Sequence, residues 1–186
     1  LSQRGFVKRV LSQLYALQHR GGRGIVGMVT RDNDAVRLLV VADTHDSLLF
    51  FTNRGKVFRL KCYEILESSS RATKGIAVIN LFPIAEGERV TDVVSMADLR
   101  SDVYLLMATS RGEIKKTALE RFASVRSSGL IAMDVEEGDD LVAVRLATDQ
   151  DEIMVVTEKG QSIRFPVSSL RASSRTSGGV RAMRLI

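Results

Sequence analysis

The sequence predicts an all-β fold assembled from four copies of one structural unit, and three observations carry that expectation. First, a cassette of Ser or Thr, one variable residue, a basic residue and Gly occurs four times: Ser2-Gln3-Arg4-Gly5, Thr52-Asn53-Arg54-Gly55, Thr109-Ser110-Arg111-Gly112 and Thr157-Glu158-Lys159-Gly160. Their glycines lie 50, 57 and 48 residues apart, a period that belongs to propeller-like or solenoid arrays. Second, another glycine follows each cassette (Gly24, Gly75, Gly129 and Gly179), with gaps of 19, 20, 17 and 19 residues. Third, the chain between these glycines breaks into runs of roughly 4–7 residues closed by Gly or polar turns, as in short-stranded β arrays.

The units run approximately over 1–46, 47–102, 103–151 and 152–186, and together they read as one domain. The first unit lacks an opening apolar strand, and residues 12–18 read either as the chain's one short helical candidate or as an irregular arm. The second unit is the template. Its residues 47–52 predict an apolar strand rich in Leu and Phe, and Asn53-Arg54-Gly55 predicts a tight hairpin in which Gly supplies the positive φ. Residues 56–61 then alternate, with Phe58 and Leu60 on one face, Arg59 and Lys61 on the other, and Val57 as the exception. A polar arm over 67–74 leads to Gly75. Residues 76–81 predict a third strand, Glu86-Gly87-Glu88 a turn and residues 91–96 a fourth strand. The third unit repeats this order at 103–108, 113–117, 130–135, the Glu137-Gly138-Asp139 turn and 141–146. The fourth ends inside its third strand at Ile186, so the chain reads as about four units of a longer array.

Composition narrows the function classes. The chain is 45% hydrophobic and 26% charged, which is globular. Apolar runs such as 48–51 and 103–108 are too short to span a membrane, and no basic-then-apolar leader is expected. Lone Cys62 allows no internal disulfide, fits a reducing cytoplasm and reads as a core residue. The formal net charge is +5, but its distribution is more informative. Residues 1–31 and 159–186 each hold six cations and no acid, so the middle of the chain carries 22 acids against 15 cations. Residues 54–61 carry four cations and no acid, whereas 134–140 carry five acids and no cation. Sorting by position within the unit predicts a basic face and an acidic face. Twenty of the 27 cations are Arg, whose planar fork suits phosphate.

Two patterns point to phosphate. In Gln18-His19-Arg20-Gly21-Gly22-Arg23-Gly24 the glycines let backbone N–H groups approach a phosphate closely, and Arg20 and Arg23 bracket them. Four residues past each cassette glycine stands Arg9, Arg59, Lys116 or Arg164, always of one sign, where a merely solvated face would mix signs. With Lys8, Lys61, Lys74 and Lys115 these residues predict a basic rim making sequence-independent phosphate contacts. The aromatics do not interleave with the cations, so single-strand stacking is not expected. Asp43-Thr44-His45-Asp46 lacks a second His or Cys and is not read as a metal site. Tyr15, Tyr63 and Tyr104 read as core or rim residues, and no nucleophile with a base and an orienting group stands out. Without a Walker-type glycine loop, no nucleotide or other cofactor is expected.

Over essentially its whole length the chain resembles the DNA gyrase A C-terminal domain family, which belongs to the type IIA topoisomerases. The residues that carry the resemblance are the 18–24 stretch, which looks like the gyrase A box, and the segment 48–61. Lys74-Gly75-Ile76, Asn80-Leu81, Gly87-Glu88-Arg89-Val90 and Gly178-Gly179-Val180-Arg181 continue it. His19 stands where the box commonly has Lys or Arg, Leu66 stands where the arm often has Pro, and the 11–17 region also lacks an expected Pro. The resemblance implies a β-pinwheel of about six strand-trading blades, here about four, with double-stranded DNA wrapped on its perimeter to support ATP-dependent negative supercoiling. It implies as partners the gyrase A N-terminal domain, which carries the cleaving tyrosine, and gyrase B, in a bacterial cytoplasmic A2B2 assembly. This segment would then not be an enzyme by itself. The alternatives are a protein-interaction propeller whose basic rim binds an acidic protein, and the corresponding domain of topoisomerase IV.

Overall fold

The Thr-x-basic-Gly cassettes at 52–55, 109–112 and 157–160 form the hairpins that join antiparallel strand pairs. The computed structural model describes residues 1–15, 17–29, 34–98 and 100–185. In chain order its strands are β1 (Phe6–Val7), β2 (Ser47–Thr52), β3 (Lys56–Lys61), β4 (Ile76–Ala77), β5 (Val90–Met96) and β6 (Tyr104–Thr109). They continue as β7 (Glu113–Ala118), β8 (Leu130–Ile131), β9 (Leu141–Ala147), β10 (Glu152–Val156), β11 (Ser162–Pro166) and β12 (Val180–Arg181). Among the described residues there is no α-helix, only single 3-10 turns at Ser12–Leu14, Cys62–Glu64, Val78–Asn80, Leu119–Phe122 and Val167–Ser169. The helical expectation for 12–18 thus reduces to one turn, and Ala16 lies outside the described residues.

Neighbouring units trade strands. One four-stranded sheet has the order β5-β2-β3-β8 and another the order β12-β7-β6-β9. In the first, β8 comes from the third unit and pairs with β3 through Lys56↔Ile131 and Val57↔Leu130. In the second, β12 comes from the fourth unit and pairs with β7 through Val180↔Ile114. The same exchange joins β4 of the second unit to β1 of the first through Phe6↔Ala77. This is the β-pinwheel arrangement.

The traded strands are shorter than the sequence suggests. Instead of strands over 76–81 and 130–135, only Ile76–Ala77 and Leu130–Ile131 join the ladder. The cause is the preceding unit's hairpin glycine, whose carbonyl captures the next backbone N–H groups. Val78 donates to Gly5 at 2.8 Å, Ala132 and Met133 to Gly55 at 2.8 and 3.1 Å, and Ala182 to Gly112 at 2.9 Å. The apolar run continues past the strand because Val78, Ala132 and Met133 enter the core.

Strand β2 is apolar on both faces because each face meets a different core. Leu48 and Phe50 pack with Val7, Phe58, Cys62, Ile65, Val78, Phe82 and Val90. Leu49 and Phe51 pack with Val57, Leu105, Met107, Phe122, Met133 and Val144. Val57, which breaks the alternation of β3, therefore faces the core shared with the third unit. Cys62 is buried as expected, and burial pushes its thiol pKa up.

Polar bonds reinforce the junction between the second and third units. Asn53 Nδ2 donates to Asp140 Oδ1 at 2.9 Å, and Arg89 Nη2 to Asp140 Oδ2 at 2.6 Å. The Asn53 hydrogen bond, helped by Arg89, holds the Asp140 carboxyl below its usual range. A carboxylate whose pKa is depressed by folding adds stability above its unfolded pKa and loses it as pH falls. The expected outcome is that Asp140→Asn is less stable than wild type at pH 6 and that the gap narrows towards pH 2.5. Thermal melts across that range check it; a pH-independent gap would mean the carboxylate charge contributes nothing.

Candidate nucleic-acid interface

The 18–24 stretch is solvent-exposed at all seven positions. Gly22 N donates to His19 O at 2.9 Å, closing a turn whose third residue, Gly21, has φ 84°. A positive φ at that position is the reason the turn takes glycine. A Cβ on Gly22 would stand 3.0 Å from the His19 carbonyl and 3.1 Å from Gln18 Oε1, so the second glycine is set by crowding. Beyond the turn, the Tyr15 hydroxyl donates to Gly27 O at 3.3 Å and ties the two ends of the segment together. Arg20 and Arg23 thus stand in solvent on a compact backbone turn, a form suited to an anionic ligand.

The expected rim cations are placed differently. Lys115 and Lys116 are buried, with relative exposures of 2% and 4%, and leave the set of candidate phosphate contacts. Lys115 Nζ donates to Ala132 O at 2.9 Å, Arg175 O at 2.6 Å and Ser177 O at 2.8 Å. Burial pulls its pKa down to about 8, opposed by Asp134 and reinforced by Arg175. Lys116 Nζ is paired with Asp149, donates to the Val167 and Leu170 carbonyls at 3.2 Å each, and lies 4.3 Å from the Tyr104 ring centroid. An ammonium has three donors, so in each lysine all are engaged.

Most of the others also face protein. Lys8 Nζ donates to the Arg71 carbonyl and to Thr73 O at 2.9 Å, and burial lowers its pKa. Arg9 Nε donates to Ile65 O at 2.9 Å while Nη1 pairs with Glu67 at 3.0 Å. Arg59 Nη1 donates to Ala123 O at 2.6 Å, and Lys61 Nζ to His45 O at 2.9 Å. Lys74 and Arg164 are exposed, the first 3.9 Å from the Phe6 ring centroid and the second 3.6 Å from Glu152.

Sequence reading marked the polar arm over 67–74 and its Lys74, but missed that an arm with exposed cations recurs in each later unit. Residues 67–74, 123–128 and 170–177 lie between a 3-10 turn and the second glycine, where the 18–24 stretch lies in the first unit. They are rich in Ser, and each carries exposed or half-exposed cations: Arg71 and Lys74, Arg126, Arg171 and Arg175, with Arg121 exposed on the turn that leads into the second of them. The signal was present as spacing. Arg20, Arg71 and Arg175 each stand four residues before the second glycine, and Arg126 three before. Hydroxyl and guanidinium groups on exposed loops are the side chains that contact nucleic-acid phosphates.

Among the described residues no group of three or more His, Cys, Asp or Glu is placed to hold a metal ion, and no helix is long and apolar enough to cross a membrane.

Comparison with known proteins gives a consistent picture. The family described as "DNA gyrase C-terminal domain, beta-propeller" matches residues 1–43, 46–95, 104–148 and 151–185. The DNA gyrase A protein of Dehalogenimonas lykanthroporepellens is 51% identical over 185 residues, which is 100% of this chain and 23% of that protein. The chain therefore spans under a quarter of that relative's length. A solved DNA gyrase A C-terminal domain superposes with a TM-score of 0.80 at 25% identity, covering 100% of this chain and 59% of that one. A topoisomerase IV C-terminal domain superposes with a TM-score of 0.78 at 28% identity, covering 100% and 56%.

Proposed function

Because the chain belongs to the DNA gyrase C-terminal domain family, we propose that it binds and wraps duplex DNA, with the Arg- and Ser-bearing arms as its contact surface. The observation that carries this reading is the recurrence, in every unit, of an exposed arm with a cation three or four residues before the second glycine. Smoothly bending 20–30 base pairs by 40–90° costs about 1–6 kcal/mol, so wrapping needs many modest contacts at regular steps. One arm per unit supplies them. The contacts are to phosphate and sugar, so binding tolerates any sequence.

In the whole protein this surface would present a wrapped duplex to the gyrase A N-terminal domain and to gyrase B, and the 18–24 stretch would direct negative supercoiling. The topoisomerase IV likeness supports a second reading as that enzyme's C-terminal domain. The resemblance of the 18–24 stretch to the gyrase A box favours gyrase.

The deciding experiment is an electrophoretic shift with random-sequence duplex, its single strand and an acidic protein as competitor. Duplex is expected to shift first, and only excess duplex to compete. Preferential capture of the acidic protein would remove the DNA reading. In the complete enzyme, replacing Arg20 and Arg23 by Ala is expected to abolish negative supercoiling while sparing relaxation; supercoiling that survives would remove the gyrase assignment.

A further inference from the structure

We propose that Arg9, Arg59 and Lys116, the second-hairpin-strand cations that face a following arm, are positioning residues, which fasten that arm to the preceding unit and so set the step between successive arms. This rests on the reading of the arms as the phosphate-binding surface. Three junctions show the same construction. At the first, Arg9 reaches the Ile65 carbonyl just after the Cys62–Glu64 turn, and Ser68 N returns a bond to Arg9 O at 2.8 Å. At the second, Arg59 reaches the Ala123 carbonyl just after the Leu119–Phe122 turn. At the third, Lys116 reaches the Leu170 carbonyl just after the Val167–Ser169 turn, and Ser173 N returns a bond to Lys116 O at 2.9 Å.

The residue before each cation grips the same arm further along. Lys8 holds the Arg71 and Thr73 carbonyls, and Lys115 holds those of Arg175 and Ser177. At the middle junction Phe58 takes this place, and its ring lies so close to Gly129 that a Cβ there would meet it at 2.7 Å. The end of a helical turn leaves carbonyls without an intrahelical donor. Those carbonyls take a long side-chain donor with no acceptor of its own, which Arg and Lys supply at each junction, so the uniform sign there has a source besides phosphate. An arm fixed from below also loses less freedom when it closes on a ligand.

The test compares Arg59→Met, Arg59→Lys and Arg126→Ala in the intact protein. Three quantities are read: amide exchange over 123–129, the salt dependence of duplex affinity, and the linking difference trapped when nicked circles are ligated with the protein bound. Arg59→Met is expected to speed exchange in the arm about tenfold, the loss of one charge-assisted hydrogen bond. It should lower the trapped linking difference and leave the salt slope unchanged. Arg59→Lys should restore protection, since Lys116 already serves at the equivalent place. Arg126→Ala should lower the slope by about one without loosening the arm. A slope that drops by about one in Arg59→Met, or arm exchange that does not change, overturns the proposal. If wild type binds no duplex at all, the function above fails, while arm exchange in Arg59→Met still decides whether the cation positions the arm.

Discussion

Raising salt from 50 to 200 mM is expected to weaken duplex binding by about 10³–10⁵-fold. The range follows from the number of phosphates the arms engage. Arg20, Arg23, Arg71, Lys74, Arg121, Arg126, Arg171 and Arg175 are eight candidate contacts over four units. Each neutralised phosphate releases condensed counterions, and about 6–10 such contacts produce a fall of that size. Had the second-strand cations been the contacts, Lys115 and Lys116 would need to leave five backbone carbonyls and the Asp149 carboxylate, to which they are already bonded in the fold. The measurement is a titration of fluorescent random-sequence duplex at several salt concentrations. Replacing Arg20 and Arg23 together by Ala should reduce the slope by about two. A flat salt response, or a preference for one base sequence above about 3 kcal/mol, would show that phosphate contact is not the basis of binding.

Local signals made the hairpins legible. A Gly at a fixed place after Thr and a basic residue, flanked by strand-length runs, left little choice for β2–β3, β6–β7 and β10–β11. The 18–24 stretch was legible as an exposed glycine-rich turn, with Gly21 at positive φ. What composition could not show was that three of the four second-strand cations find their partner in the next unit: Arg9 meets Ile65, Arg59 meets Ala123 and Lys116 meets Leu170, whereas Arg164 stands by Glu152 of its own hairpin. Uniform sign looked like complementarity to an outside anion, yet three of these cations spend donors on backbone carbonyls inside the array. The short traded strands were hidden for a related reason. Residues 76–81 and 130–135 keep their apolar character because the core needs it, while the N–H groups of Val78, Ala132 and Met133 have already gone to Gly5 and Gly55.

Gly55→Ala is expected to be among the most damaging single substitutions, and Gly160→Ala among the milder ones, although both glycines end the same cassette. Gly55 has φ 72° and Gly160 φ 82°, so each alanine incurs the left-handed cost of about 1–2 kcal/mol. At Gly160 nothing else lies within 4 Å of the new Cβ. At Gly55 the Cβ would overlap the Met133 carbonyl oxygen and come within 2.9 Å of Val135 Cγ2, both in the third unit. Overpacking of that kind adds about 1–3 kcal/mol, for a total of about 2–5 kcal/mol. In a domain of this size that lowers the melting temperature by roughly 4–20 °C, against roughly 2–8 °C for Gly160→Ala. The damage should also cross the junction, because the backbone pushed away belongs to residues whose N–H groups bond Gly55 O, namely Ala132 and Met133. Amide exchange over 130–133 should therefore accelerate together with that of β3. Protection lost within β2 and β3 alone would mean that the units fold independently and that the traded strands carry no coupling.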